Sequence, residues 1–111
     1  MTEHGFQTFG SSDNGKPARL ASGGAFVVEL AENPTTGFRW AIRDCPPQIE
    51  VTSDEFIPPS NVRPGAGGIR RWTFRAGQPG DGTLTIELLA RGNRGGGDRP
   101  TFTLAIEVLP R

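Results

Sequence analysis

Asn33-Pro34-Thr35-Thr36-Gly37-Phe38-Arg39-Trp40 is a stiff polar tip set between two alternating apolar runs. Before it, Phe26, Val28 and Leu30 alternate with Val27, Glu29 and Ala31; after it, Phe38, Trp40 and Ile42 alternate with Arg39, Ala41 and Arg43. Period two marks strands, because successive side chains leave opposite faces. The tip is built for rigidity. Pro34 fixes one dihedral and lacks an N–H, and Thr35 and Thr36 are β-branched and restricted at χ1. Gly37 is expected at a positive φ where the chain turns back, and Asn33 can brace the loop through its own backbone. A loop that only had to reverse direction would use Asn-Gly. This one presents two hydroxyls on an arch.

The same alternation recurs along the chain. Strand-like runs cover residues 25–31, 38–43, 49–56, 69–76, 83–90 and 101–109, with a short first strand around Phe6 and Phe9. Trp72 and Phe74 form one inward set, Leu84, Ile86 and Leu88 another, and Phe102, Leu104, Ile106 and Val108 a third. Turn signals separate the runs: Pro46-Pro47, Pro58-Pro59, and the Gly- and Pro-rich stretches 64–68, 77–82 and 92–100. No window has useful helical periodicity. About seven short strands with a turn every ten residues or so predict an all-β, immunoglobulin-like β-sandwich. The expected core is Phe26, Val28, Trp40, Trp72, Phe74, Leu84, Ile86, Phe102, Leu104 and Ile106. Residues 1–17 are expected to be a mobile N-terminal segment and 18–111 the domain.

Lettering these strands A to G, strict antiparallel succession sends the B–C, D–E and F–G connections to one end. These are residues 33–37, 61–68 and 91–100, the loops with the least ordinary chemistry. Specialised loops gathered at one end of a rigid scaffold imply a binding surface.

Composition narrows the function. The 111 residues fit one domain. Lys+Arg and Asp+Glu balance at 12 each, so no strong field favours nucleic acid or an anionic membrane. There is one Cys, Cys45, and one His, His4, so a nucleophile–base pair and a zinc set both lack partners. Cys45 precedes Pro46-Pro47 and reads as structural. Asp54, Glu55 and Asp81 read as solvated groups. No metal or cofactor is expected, and no enzyme. The N-terminus has neither a basic n-region nor an apolar h-region. As written, the sequence reads as cytoplasmic, or as periplasmic or secreted if a leader precedes it.

Two loops invite other readings. Pro64-Gly65-Ala66-Gly67-Gly68 is rich in glycine like a phosphate loop, but an alternating strand follows it where a helix N-terminus would have to stand. Arg91-Gly92-Asn93-Arg94-Gly95-Gly96-Gly97-Asp98-Arg99 has the arginines and glycines of an RNA-binding tract but no aromatic residue for stacking.

The loops match a known pattern. The chain resembles the chagasin-type inhibitors of papain-like cysteine peptidases. Their B–C loop reads Asn-Pro-Thr-Thr-Gly, an aromatic, one residue and Trp, which residues 33–40 match throughout. Their D–E loop has a Gly-x-Gly-Gly turn before a strand, matched by Gly65-Ala66-Gly67-Gly68. The resemblance runs in strand order from about Ala18 to the C-terminus. The third element departs: the family has Arg-Pro-aromatic after strand F, and here the position reads Arg91-Gly92-Asn93.

The resemblance implies a reversible, non-covalent inhibitor that is a monomer when free. The B–C loop would enter the peptidase cleft, the D–E loop would run beside it and Arg91 would reach a wall. The implied peptidase-binding residues are Asn33, Pro34, Thr35, Thr36, Gly37, Phe38, Gly65, Ala66, Gly67, Gly68 and Arg91. The altered F–G loop keeps open a second reading, a non-inhibitory protein-interaction domain on the same scaffold.

Overall fold

The computed structural model describes residues 7–33, 37–59, 67–90 and 100–110. The described residues form eight strands: β1 (Gln7–Phe9), β2 (Lys16–Ala21), β3 (Ala25–Glu32), β4 (Phe38–Asp44), β5 (Ile49–Ile57), β6 (Gly68–Ala76), β7 (Gly80–Ala90) and β8 (Thr101–Leu109). They make two four-stranded sheets, ordered β1-β3-β6-β5 and β2-β8-β7-β4. This is the expected immunoglobulin-like sandwich, with β1 as the short first strand and β2 as a strand beyond those expected. β1 runs parallel to β3 and β2 parallel to β8. A single 3-10 turn, Ser11–Asp13, lies between β1 and β2.

β2 is the element the alternation did not announce. Its run Lys-Pro-Ala-Arg-Leu-Ala buries only Ala18 and Leu20, too little apolar signal to read as a strand. Tertiary pairing supplies what propensity lacks. β2 lies along β8 over its whole length, from Lys16↔Leu104 to Ala21↔Leu109. Asn14 holds the entry, accepting the Thr103 N–H at 2.8 Å, and Gly15 turns there at φ 83°. Thus β1 and the first two residues of β2 come from segment 1–17, which the sequence set apart from the domain.

The core sits between the sheets, on the inward registers. Phe26, Val28, Trp72, Phe74, Leu84, Ile86, Phe102, Leu104 and Ile106 are all buried, as expected. Phe26 stacks on Phe74 with ring centroids 4.8 Å apart, and Phe9 of β1 meets Phe26 edge-on at 5.9 Å. Trp40 differs from expectation: it is half-buried, packed against the margin of the core. Its indole N–H donates to the Ala31 carbonyl at 2.8 Å. A tryptophan ring has one polar atom that must find a partner, and an edge position lets it do so.

Two bulges shape the outer strands. Register shifts between Ile42 and Asp44 in β4, and between Val51 and Ser53 in β5. An extra residue on an edge strand bends it and discourages pairing with another chain. In β5 the bulge also resets parity, so that Asp54 and Phe56 pair with Trp72 and Arg70 on the inward side.

Phe74 has no exposed surface and carries a stacked partner. Phe74→Ala should therefore lower the free energy of unfolding by about 3–5 kcal/mol, read from urea denaturation curves.

Candidate functional site

The strand pairings bring three loops to one end. Glu32 faces Gly68 across β3–β6, Ile57 faces Ile69 across β5–β6, and Phe38 faces Ala90 across β4–β7. Leu88 donates its N–H to Pro100 at 3.0 Å at the mouth of the β7–β8 connection. The β3–β4, β5–β6 and β7–β8 connections are the B–C, D–E and F–G loops, and their stems gather as the parity argument requires.

Of the residues singled out in the sequence, Asn33, Gly37, Phe38, Gly67 and Gly68 are described. Pro34, Thr35, Thr36, Gly65, Ala66 and Arg91 lie outside the described residues. Gly37 has φ 84°, the left-handed conformation expected of it. Gly67 lies against the neighbouring stem: a Cβ there would stand 3.4 Å from the Asn33 Cβ and from the Glu32 carbonyl oxygen. Gly68 has no room for a side chain, because a Cβ would run into the Ile57 carbonyl oxygen and the Phe56 ring. The B–C and D–E stems thus touch through glycine.

Beneath these stems lies a charged network that the sequence reading passed over. Glu32, the last residue of β3, has a side chain only 1% exposed. One carboxylate oxygen accepts the Trp40 backbone N–H at 2.7 Å. The other accepts Arg70 Nη2 at 2.9 Å and Nε at 3.2 Å. Arg70 Nη1 reaches Asp54 Oδ1 at 3.1 Å, and the guanidinium lies 5.9 Å from the centre of the Phe56 ring. The Glu32 hydrogen bonds, opposed by desolvation and aided by Asp54, push the Arg70 guanidinium above its ordinary value, so Arg70 stays charged. Asp54, read from sequence as a solvated group, is therefore tied into the D–E stem although its side chain is half exposed.

A signal for this network was present. Glu32 continues the inward set Phe26, Val28, Leu30, and Arg70 precedes Trp72 and Phe74 on theirs. Opposite charges on the buried registers of two paired strands mark an inward ion pair. Among the described residues, no buried side-chain polar atom lacks a hydrogen-bond partner.

Above the network a groove of about 660 Å³ opens between the stems. Gly37, Phe38, Arg39, Phe56 and Leu89 are among the residues that line it, with Glu32 and Arg70 of the network at its floor. Phe38 stands at its rim, 44% exposed, although its register is that of the half-buried Trp40 and Ile42. Past the last core layer an inward register no longer has a sheet to bury against. A larger depression of about 880 Å³ lies at the opposite end among the short turns, lined by Gln48, Glu50, Arg75 and Asp81 among others. None of the residues marked by the loop motifs is there.

Among the described residues no group of three or more His, Cys, Asp or Glu could hold a metal. Burial pushes the Cys45 thiol above its ordinary value, and its Sγ lies 3.6 Å from the Ile49 carbonyl oxygen. That is the setting of an inert structural thiol.

The model of the chagasin family peptidase inhibitors (Chagasin family peptidase inhibitor I42) matches residues 19–106. No curated protein matches the chain in sequence. Among solved structures the chain is similar to amebosin, with 22% identity and a TM-score of 0.77 over 96% of this chain and 100% of that one. It is similar to the cysteine protease inhibitor EhICP2 of Entamoeba histolytica, with 19% identity and a TM-score of 0.74 over 94% and 96%. PbICP-C, solved in complex with falcipain-2, gives 16% identity and a TM-score of 0.61 over 100% and 96%. At these identities the structures establish a common fold, and the family match covers most of the chain. The chain belongs to the chagasin family of peptidase inhibitors.

Two outcomes are expected here. Gly68→Ala should destabilise the domain by about 1–3 kcal/mol, measured by thermal or urea unfolding, since the Phe56 ring and the β5 backbone must shift to admit a methyl. Cys45 in the folded protein should be alkylated by iodoacetamide at neutral pH more slowly than in the urea-unfolded chain, because the folded state disfavours the thiolate.

Proposed function

We propose that this chain, as a member of the chagasin family, is a reversible, non-covalent inhibitor of papain-like cysteine peptidases and not an enzyme. The observation that carries the reading is the convergence of the three loop stems at one end, with the B–C motif on the most constrained of them. EhICP2 is a cysteine protease inhibitor and PbICP-C is found bound to falcipain-2, both on this fold.

The mode of action is occlusion. Residues 34–36 form the tip that enters the cleft, between Asn33 and Gly37, which set its direction. Thr35 and Thr36 offer hydroxyls and methyls to the cysteine–histidine pair without laying a peptide bond in line for attack. Pro34 and the left-handed Gly37 limit the conformations of the free loop, so less entropy is lost on docking. The D–E loop, with Gly65, Ala66, Gly67 and Gly68, follows the cleft edge by backbone contacts, where a side chain would hold the partner away. Phe38 and the groove behind it add apolar surface at the centre, and Arg91 contributes charge at the margin.

The F–G loop lacks the aromatic of the family pattern, so the B–C loop carries most of the affinity. Thr35→Ala and Thr36→Ala should each raise the inhibition constant against papain while leaving the unfolding temperature unchanged. Asn93→Trp should lower it by supplying a large anchor, with a gain on the order of 2 kcal/mol where the ring finds a pocket. The assignment fails if the threonine variants inhibit like the parent while removal of residues 92–98 abolishes inhibition. A parent that does not inhibit at micromolar concentration returns the chain to the reading of a non-inhibitory interaction domain.

A further inference from the structure

Glu32 is the one charged or polar residue among the described residues whose surface is almost wholly buried. Stability alone does not account for it, since a buried ion pair is often no more stabilising than apolar residues of the same volume. Its connections give the better account. Glu32 is where β3 ends and the B–C loop begins. Trp40, whose N–H it accepts, stands two residues after Phe38, at the start of β4. Arg70, held by two hydrogen bonds, stands two residues after Gly68, at the start of β6. Through Arg70 the network reaches Asp54, close to the end of β5. One carboxylate thus ties both stems of the B–C loop to both stems of the D–E loop, across the two sheets.

We infer that Glu32 is a positioning residue, which fixes the B–C and D–E loop stems in one relative geometry so that the two loops dock as a unit. The inference rests on the inhibitory reading of the site. Glu32 lies at the floor of the groove with its side chain 1% exposed, so it offers a peptidase almost no surface of its own. Its contribution to binding is the fraction of free inhibitor that already has the docking geometry. Gly67 packed on Asn33 reinforces the same link from above. A loss of this kind appears as slower association at nearly constant dissociation, because the competent fraction scales the apparent affinity.

The test is Glu32→Gln, which keeps the shape and the acceptor for Trp40 N–H but turns an amide toward the Arg70 donors. At a temperature well below its unfolding midpoint, the variant should associate with papain on the order of tenfold more slowly, with a similar dissociation rate. Glu55→Gln removes the same charge from a half-exposed position on the same sheet and should leave both rates unchanged. In the free Glu32→Gln protein, amide exchange should quicken together at Trp40 and Gly68. If Glu32→Gln does not fold, Arg70→Lys, which keeps the charge and loses the planar fork, is read in the same way. Unchanged association with only a lowered unfolding midpoint overturns the positioning role. Exchange that quickens at Trp40 alone overturns the coupling of the stems. If the parent itself does not inhibit papain, the inhibitory reading fails, and the exchange measurement alone decides the coupling.

Discussion

Glu32 ends β3 with its carboxylate inside the sandwich, where an unpaired charge costs several kcal/mol. Every neighbour reflects that constraint. β4 must begin where it does for the Trp40 N–H to meet one oxygen, and β6 must begin where it does for Arg70 to meet the other. Charge-assisted hydrogen bonds are directional and short, so they fix positions that apolar contacts would leave adjustable. The apolar core below, with Phe26, Phe74 and Trp72, supplies the bulk of the driving force but little of this precision at the rim. The sandwich therefore has two regimes: a packed middle that holds the sheets together and a polar joint at one end that sets the loops.

That division suits a peptidase inhibitor, which acts by binding. An inhibitor of this kind gains nothing from catalytic groups and loses affinity for every degree of freedom that docking must freeze. The described surface agrees with that requirement. Gly37 holds a left-handed turn, Gly68 leaves space only for backbone, and Gly67 lets two stems touch. Phe38 remains half in the open at the rim of the groove, as an interface residue would in the free state.

Much of this was legible in the sequence because alternation is a strong signal wherever one face is buried. β3, β6, β7 and β8 announce themselves through repeated large apolar residues, and strand parity then places three loops together without any knowledge of contacts. β2 was not legible. Its two buried residues, Ala18 and Leu20, are too few to establish a period, and only the ladder to β8 makes it a strand. The Asp54 and Phe56 positions were hidden for another reason: the bulge after Val51 shifts their parity, and a bulge leaves no mark in a hydrophobic pattern. The Glu32–Arg70 pair was visible as two charges on inward registers, but a charge next to a polar loop is ordinarily the start of solvent.

The joint also bears on the one loop that departs from the family pattern. The B–C and D–E stems are bound to each other through Glu32, Arg70 and Asp54, so a change in one is felt by the other. The F–G loop rises from β7 and β8, whose pairing runs from Gly80↔Val108 to Glu87↔Thr101 within a single sheet. Its stem meets the B–C stem through the Phe38↔Ala90 backbone ladder. The departure from the family pattern, Arg91-Gly92-Asn93, thus falls on the loop that rises within one sheet, while the Asn-Pro-Thr-Thr-Gly motif falls between the two stems that Glu32 joins.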